Sequence, residues 1–141
     1  MSDLNHKLQK IAPVIFTKTP VLFAYLYGSR AVGLAHPFSD LDIGIYVEGI
    51  PPDKCLELEL SISLRIDKKL GHTVEADVRI INHLPLTVKG KIITDGALIY
   101  SRDEAGRVEF ETQIRKAYFD FLPAIYAYQL AYRERERVHP L

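Results

Sequence analysis

The chain is short of most features that would place a protein outside the cytoplasm or on nucleic acid. It has one cysteine, Cys55, among 141 residues. An internal disulfide is therefore excluded, and a reducing compartment fits. The first ten residues, MSDLNHKLQK, are polar and contain no apolar signal core. No apolar run approaches the ~18 residues that a membrane span needs. Neither sign of charge is in excess: Lys+Arg and Asp+Glu number 18 each. A general nucleic-acid binder needs a basic surplus, so direct nucleic-acid binding is not expected. Zero net charge also gives little colloidal repulsion, which suits a protein that lives in a complex. The five histidines show no metal-ligand spacing, and repeats and low-complexity segments are absent. The expectation is a soluble, cytoplasmic protein without membrane contact. At this length it forms one domain, residues 1–141, able to bury a core without staples.

Helix and strand signals alternate along the chain. Asp3 caps a first helix to about Phe16, with Leu4, Leu8, Ile11 and Val14 or Ile15 on one face. Apolar runs at 21–27 and 41–47 read as strands. Glu48 to Pro52 is a break, after which Asp53 caps a helix from about Lys54 to Leu70, ended by Gly71. Its apolar positions are read as Leu56, Leu60, Leu64 and Ile66. A strand at 73–81, a helix at 84–94, a short strand at 97–100 and one long helix at about 103–137 follow. This order gives an α/β (α+β) fold, a small mixed sheet flanked by helices. The core spans about residues 10–100.

The densest signal lies between the first two strands. The first ends in Gly28-Ser29; ten residues later Asp40-Leu41-Asp42 opens the second. Side chains two apart on a strand share a face, so both carboxylates address one point beside the Gly-Ser turn. Two like charges held that close call for a cation between them. Mg²⁺ takes oxygen ligands and completes its shell with substrate phosphates. Gly28 lets backbone approach a phosphate, and Ser29 would cap a helix whose N-terminal N–H groups attract anions. Together they describe a site for a nucleoside triphosphate.

This G-S, ten residues, D-x-D arrangement resembles the DNA polymerase β-type nucleotidyltransferases, and in spacing and size the minimal nucleotidyltransferase (MNT) domains among them. The resemblance covers about residues 10–135. It implies a third carboxylate on a neighbouring strand. Asp77, in the middle of Thr73–Ile81, matches that position; Glu75, two residues earlier on the same face, is the alternative. It also implies a two-metal Mg²⁺ site on Asp40, Asp42 and Asp77, with ions about 3.5–4 Å apart. ATP would be the substrate, with Gly28 and Ser29 positioning its phosphates. Many relatives read G-S-R-A-R-G, whereas Val32 stands here for the second arginine. Arg30 then serves alone, or the nucleotide is held differently.

MNT domains resembling this one are antitoxins of HEPN ribonuclease toxins and transfer AMP to a toxin tyrosine. That function is the one expected here, with a HEPN toxin as partner. A binding-only antitoxin acting by steric block, or a small-molecule nucleotidyltransferase, is the alternative. The C-terminal helix bears on the choice. Ile114, Tyr118, Phe121, Ile125, Tyr128 and Tyr132 form one stripe, with Phe119, Leu122, Tyr126 and Leu130 outside it. Such a helix is apolar beyond one face, and its tyrosines suit either a core or an interface. An Arg133…His139 pair has the spacing of a HEPN ribonuclease motif, but that motif belongs inside an all-helical bundle, and the H-x-Y continuation is missing here.

Overall fold

Two runs without a polar break inside them, β1 (Val21–Tyr27) and the apolar part of β2 (Leu41–Val47), form the centre of the sheet. Strands that read as continuously apolar are those covered on both faces, and here helices cover both. The computed structural model describes residues 3–28 and 40–138. Around the central pair run α1 (Asp3–Phe16), α2 (Cys55–Lys69), β3 (Ala76–Ile80), α3 (Leu86–Asp95), β4 (Ala97–Ser101) and α4 (Glu104–Val138). The strand order is β3-β2-β1-β4. β1 is antiparallel to β2 and β4, while β2 and β3 are parallel, so the sheet is mixed as expected.

One face of the sheet carries Leu26, Leu41, Ile43 and Ile45 against Leu8, Ile15 and Phe16 of α1 and Ile62 and Ile66 of α2. The other carries Phe23, Tyr25 and Ile81 against Ile92 and Ile93 of α3 and Phe110 and Ile114 of α4. On that second face the Tyr25 hydroxyl donates to Glu111 Oε2 at 2.8 Å, and Glu111 pairs with Arg107 at 2.6 Å. Burial, reinforced by Glu111, pushes the Tyr25 hydroxyl far above its ordinary pKa. The first half of α4 is thereby pinned to the sheet. Asp103 caps it, accepting from the Gly106 N–H at 3.1 Å.

Three details differ from the sequence reading. Leu56, Leu60 and Leu64 of α2 face solvent, at 56–67% exposure, and the buried residues are Ile62 and Ile66. The helix has two apolar stripes about 200° apart in phase, and the β-branched one meets the sheet. Asp53 does not cap α2; it lies in a preceding 3₁₀ turn, Pro52–Lys54, and the capping position falls to Lys54 without a side-chain bond. The third strand is shorter than 73–81, because Gly71 and His72 take positive φ and a turn occupies the residues before it. Of the two positions left open in α1, Ile15 enters the core, as one of the alternatives had it, and Val14 is exposed.

β3 is an edge strand, and α2 covers its open side. The Ala76 N–H donates to Asp67 Oδ1 and the Ile80 N–H to Glu59 Oε2, each at 2.8 Å. Further along the chain, the Tyr118 ring packs against Gly90 of α3, in space that a Cβ would fill. Past that contact α4 loses its support. Phe119, Tyr126, Tyr128, Leu130 and Tyr132 are exposed by half or more. No helix among the described residues is long and apolar enough to cross a membrane.

The two stripes of α2 predict opposite outcomes on truncation. Ile62→Ala should destabilise the protein by about 2–5 kcal/mol, as large-to-small changes in a packed core do. Leu60→Ala should stay within about 0.5 kcal/mol of the parent. Urea titration of both variants measures this; equal losses would mean that the leucine stripe is buried.

Candidate active site

Three strands converge where β1 ends and β2 and β3 begin. Tyr27, the last residue of β1, is paired with Asp42 of β2. Asp42 is paired in turn with Asp77 of β3. Residues in register on adjacent parallel strands project their side chains to the same face, so Asp42 and Asp77 stand side by side on the face covered by α3 and α4. Asp40 precedes β2 by one residue and keeps the parity of Asp42. The Leu41 N–H donates to the Glu75 carbonyl at 2.8 Å, which locks this end of the register.

Glycine shapes the space around these carboxylates at two positions. Gly28 has φ +75°, a conformation that side chains rarely adopt, and a Cβ on it would overlap the Asp42 carboxylate. The turn therefore lies directly against Asp42. Gly44 lies one step further along the same face. A Cβ there would come within 2.6 Å of Ile81 and 3.5 Å of the Tyr27 ring. Its absence lets Tyr27 lie across β2 towards the acidic cluster. Burial first, and then the charge of Asp42, push the Tyr27 hydroxyl up to about 12.

Asp42 carries the electrostatic strain. Burial, then repulsion from Asp77 and Asp40, hold its carboxyl above the ordinary value, and Arg79 pulls it back. Arg79 is two residues beyond Asp77 on β3, and its Nη2 lies 3.4 Å from Asp77 Oδ2. The donor set is all carboxylate oxygen, gathered on one face and mutually repelling, which is the chemistry that suits a hard divalent cation. The three carboxylates do not close into a cage as they stand: among the described residues no group of three metal-ligating side chains does so. Asp77 is turned to Arg79.

Of the residues singled out in the sequence, Gly28, Asp40, Asp42 and Asp77 are brought to this corner. Glu75 is exposed and lies before β3, beside Asp40 rather than Asp42. Ser29 and Arg30 lie outside the described residues. Sequence reasoning missed Arg79, although it has the parity of Asp77, and it missed Tyr27 and Gly44, which read only as parts of apolar strands. A groove of about 700 Å³ runs along the edge of β3, lined by Asp40, Glu75, Asp77 and Arg79 at one end and by Leu60 and Leu64 of α2. A second cavity, about 390 Å³, opens between Gly28 and α3, with Tyr27, Val88 and Ile92 as its apolar walls and Lys91 among its lining residues.

Among curated proteins none matches the sequence. In fold the chain is similar to several solved structures. One is a chain of a toxin–antitoxin complex crystallised with AMP-PNP, at 16% identity and a TM-score of 0.59, covering 95% of this chain and 94% of that one. Another comes from a tri-AMPylated Shewanella oneidensis HEPN toxin in complex with MNT antitoxin, at 14% identity and a TM-score of 0.55, with 95% and 94% covered. A third, from an MntA–HepT toxin–antitoxin, has 17% identity and a TM-score of 0.53, with 97% and 95% covered. At these identities the likeness is one of fold. Residues 9–105, which hold all four strands, the Gly28 turn and the three aspartates, match the family described as "Polymerase beta, Nucleotidyltransferase", and the chain belongs to that family.

Proposed function

We propose that the protein is an ATP-dependent adenylyltransferase that moves AMP to a tyrosine of a HEPN ribonuclease toxin, and is the antitoxin of that toxin. The observation that carries the reading is the register of Asp42 with Asp77, with the Gly28 turn against Asp42. Asp40, Asp42 and Asp77 would hold Mg²⁺, which supplies charge neutralisation at the triphosphate and the leaving pyrophosphate and lowers the pKa of the acceptor hydroxyl. Gly28 and Ser29 receive the β- and γ-phosphates through backbone N–H groups. The acceptor oxygen attacks the α-phosphorus, the bond to the bridging oxygen of pyrophosphate breaks, and Asp77 takes the proton. The remainder of the protein's contribution is positioning.

The acceptor is read as a protein for two reasons. Among the described residues, once the sheet and its helices are built, the outer half of α4 is what remains, and it forms no enclosed acceptor site there. That outer half shows Tyr126, Tyr128 and Tyr132 at 62%, 73% and 52% exposure. Exposed aromatic side chains at helical spacing suit docking of a partner. The fold neighbours described above include a nucleotide-analogue complex and an AMPylated HEPN toxin, which supports the same partner class here. A steric antitoxin would use α4 and leave the carboxylates idle, so the carboxylate variants below separate the two readings.

Asp42→Asn should abolish Mg²⁺-dependent transfer of labelled AMP to the toxin. In metal-free protein it should also raise the melting temperature at neutral pH, because one of the repelling charges is gone. The sign follows from the raised folded-state pKa of Asp42: its ionisation weakens the fold, so the gain is present at neutral pH, fades as pH falls through the raised pKa, and is gone below about 4, where the carboxyl is protonated in both states. Lost transfer in Asp42→Asn with the toxin still neutralised would leave only the steric reading, and retained transfer would remove the metal role of Asp42.

Asp77→Asn should lose transfer as completely as Asp42→Asn, while Glu75→Gln keeps most of it. The reverse result would place the third carboxylate two residues earlier. For α4, Tyr126→Ala, Tyr128→Ala and Tyr132→Ala should each leave melting of the free protein nearly unchanged. At least one should weaken toxin binding by about 1–3 kcal/mol in calorimetry. Unchanged affinity in all three would move the interface elsewhere.

A further inference from the structure

Asp77 already has a cation beside it, the Arg79 guanidinium at 3.4 Å. Arg79 is the positive charge that acts on Asp42, and its field also reaches Tyr27. It sits on the same face of the edge strand β3 as Asp77, with 58% of its side chain exposed. Asp77 is the one partner with which it pairs among the described residues. A guanidinium has five donors, and Arg79 lines the groove that Asp40 and Asp77 also line.

We propose that Arg79 is the resident counter-ion of the carboxylate cluster, and that a divalent cation arriving at Asp77 displaces it onto the phosphates of the nucleotide. This rests on the nucleotide reading of the site. A carboxylate oxygen that ligates a divalent cation pairs less well with a neighbouring guanidinium, since the two positive charges repel. The guanidinium fork then needs another anion, and it matches phosphate oxygens in bidentate geometry. The same side chain thus opposes metal binding before the nucleotide arrives and favours nucleotide binding once the metal is in place. By linkage, metal and nucleotide then strengthen one another's binding through Arg79 more than their direct contact alone would give.

The test uses the free protein and no turnover. Mn²⁺ binding without nucleotide is followed by electron paramagnetic resonance, and binding of the non-transferable analogue AMPCPP in saturating Mg²⁺ by calorimetry. Arg79→Gln should bind Mn²⁺ alone about two- to five-fold more tightly, the range expected for losing an exposed ion pair. It should bind AMPCPP about ten-fold or more weakly, as loss of a charged hydrogen-bond donor to phosphate predicts. Arg79→Lys keeps the charge without the fork, so Mn²⁺ affinity should stay near the parent while AMPCPP affinity falls part of the way. A merely structural role would move both affinities in one direction, so tighter Mn²⁺ binding with weaker AMPCPP binding is the signature. Unchanged or weakened Mn²⁺ binding in Arg79→Gln, or unchanged AMPCPP affinity, overturns the proposal. If the parent itself binds neither Mn²⁺ nor AMPCPP, the nucleotide reading of the site fails, and the Arg79 proposal fails with it.

Discussion

Placing one carboxylate opposite another on adjacent strands is unfavourable, and much of this structure acts to hold that arrangement. Asp42 and Asp77 face one another because β2 and β3 pair in a single register. Behind them, on the other side of the sheet, Leu41, Ile43 and Ile45 are fully buried. A slip by one residue would turn these three towards α3 and α4 and the aspartates towards the core. Burial of the branched side chains therefore sets the position of the charges, and the repulsion is too small to undo it. The raised carboxyl of Asp42 records the residual cost, and Arg79 offsets part of it.

Much of this was legible in the residues. The central strands were clear because each is an apolar run with a defined end, and the pair of aspartates was clear because period-two spacing needs no tertiary information. Asp77 is different. Nothing in the local pattern around it says which strand lies beside β2, and only resemblance to a family supplied the pairing. In α2 the pattern misled. Leucines 56, 60 and 64 and the residues 58, 62 and 66 offer two equally regular stripes, and periodicity cannot choose between them when both are apolar. The sheet chose the stripe with Ile62 and Ile66. Arg79 went unread because a cation two residues from an acid looks like an ordinary surface pair until its neighbours across the sheet are known. The contribution of Ser29 and Arg30 lies outside the described residues.

The long α4 joins two environments that its sequence does not separate. Through Phe110, Ile114 and Tyr118 it is part of the protein's own packing, with Glu111 reaching Tyr25 in the sheet. Beyond Tyr118 the same spacing of aromatic residues continues, but Phe119, Tyr126, Tyr128 and Tyr132 are exposed among the described residues. The periodicity is uniform because one face of the helix stays apolar throughout. The change comes from the sheet and α3 ending, at a point that the composition of α4 does not mark.

The carboxylates of Glu59 and Asp67 on the outer edge of β3 have a consequence for how this molecule meets others. They occupy two N–H groups that a further strand would need, and they leave negative charge along the same line. Another copy of the chain, or an extended peptide, finds no free ladder there, so the sheet does not grow by accretion at that edge. Association is steered to side-chain surfaces instead, where shape selects the partner. A protein with no net charge to keep copies apart gains in this way a barrier to self-assembly that does not depend on repulsion between whole molecules.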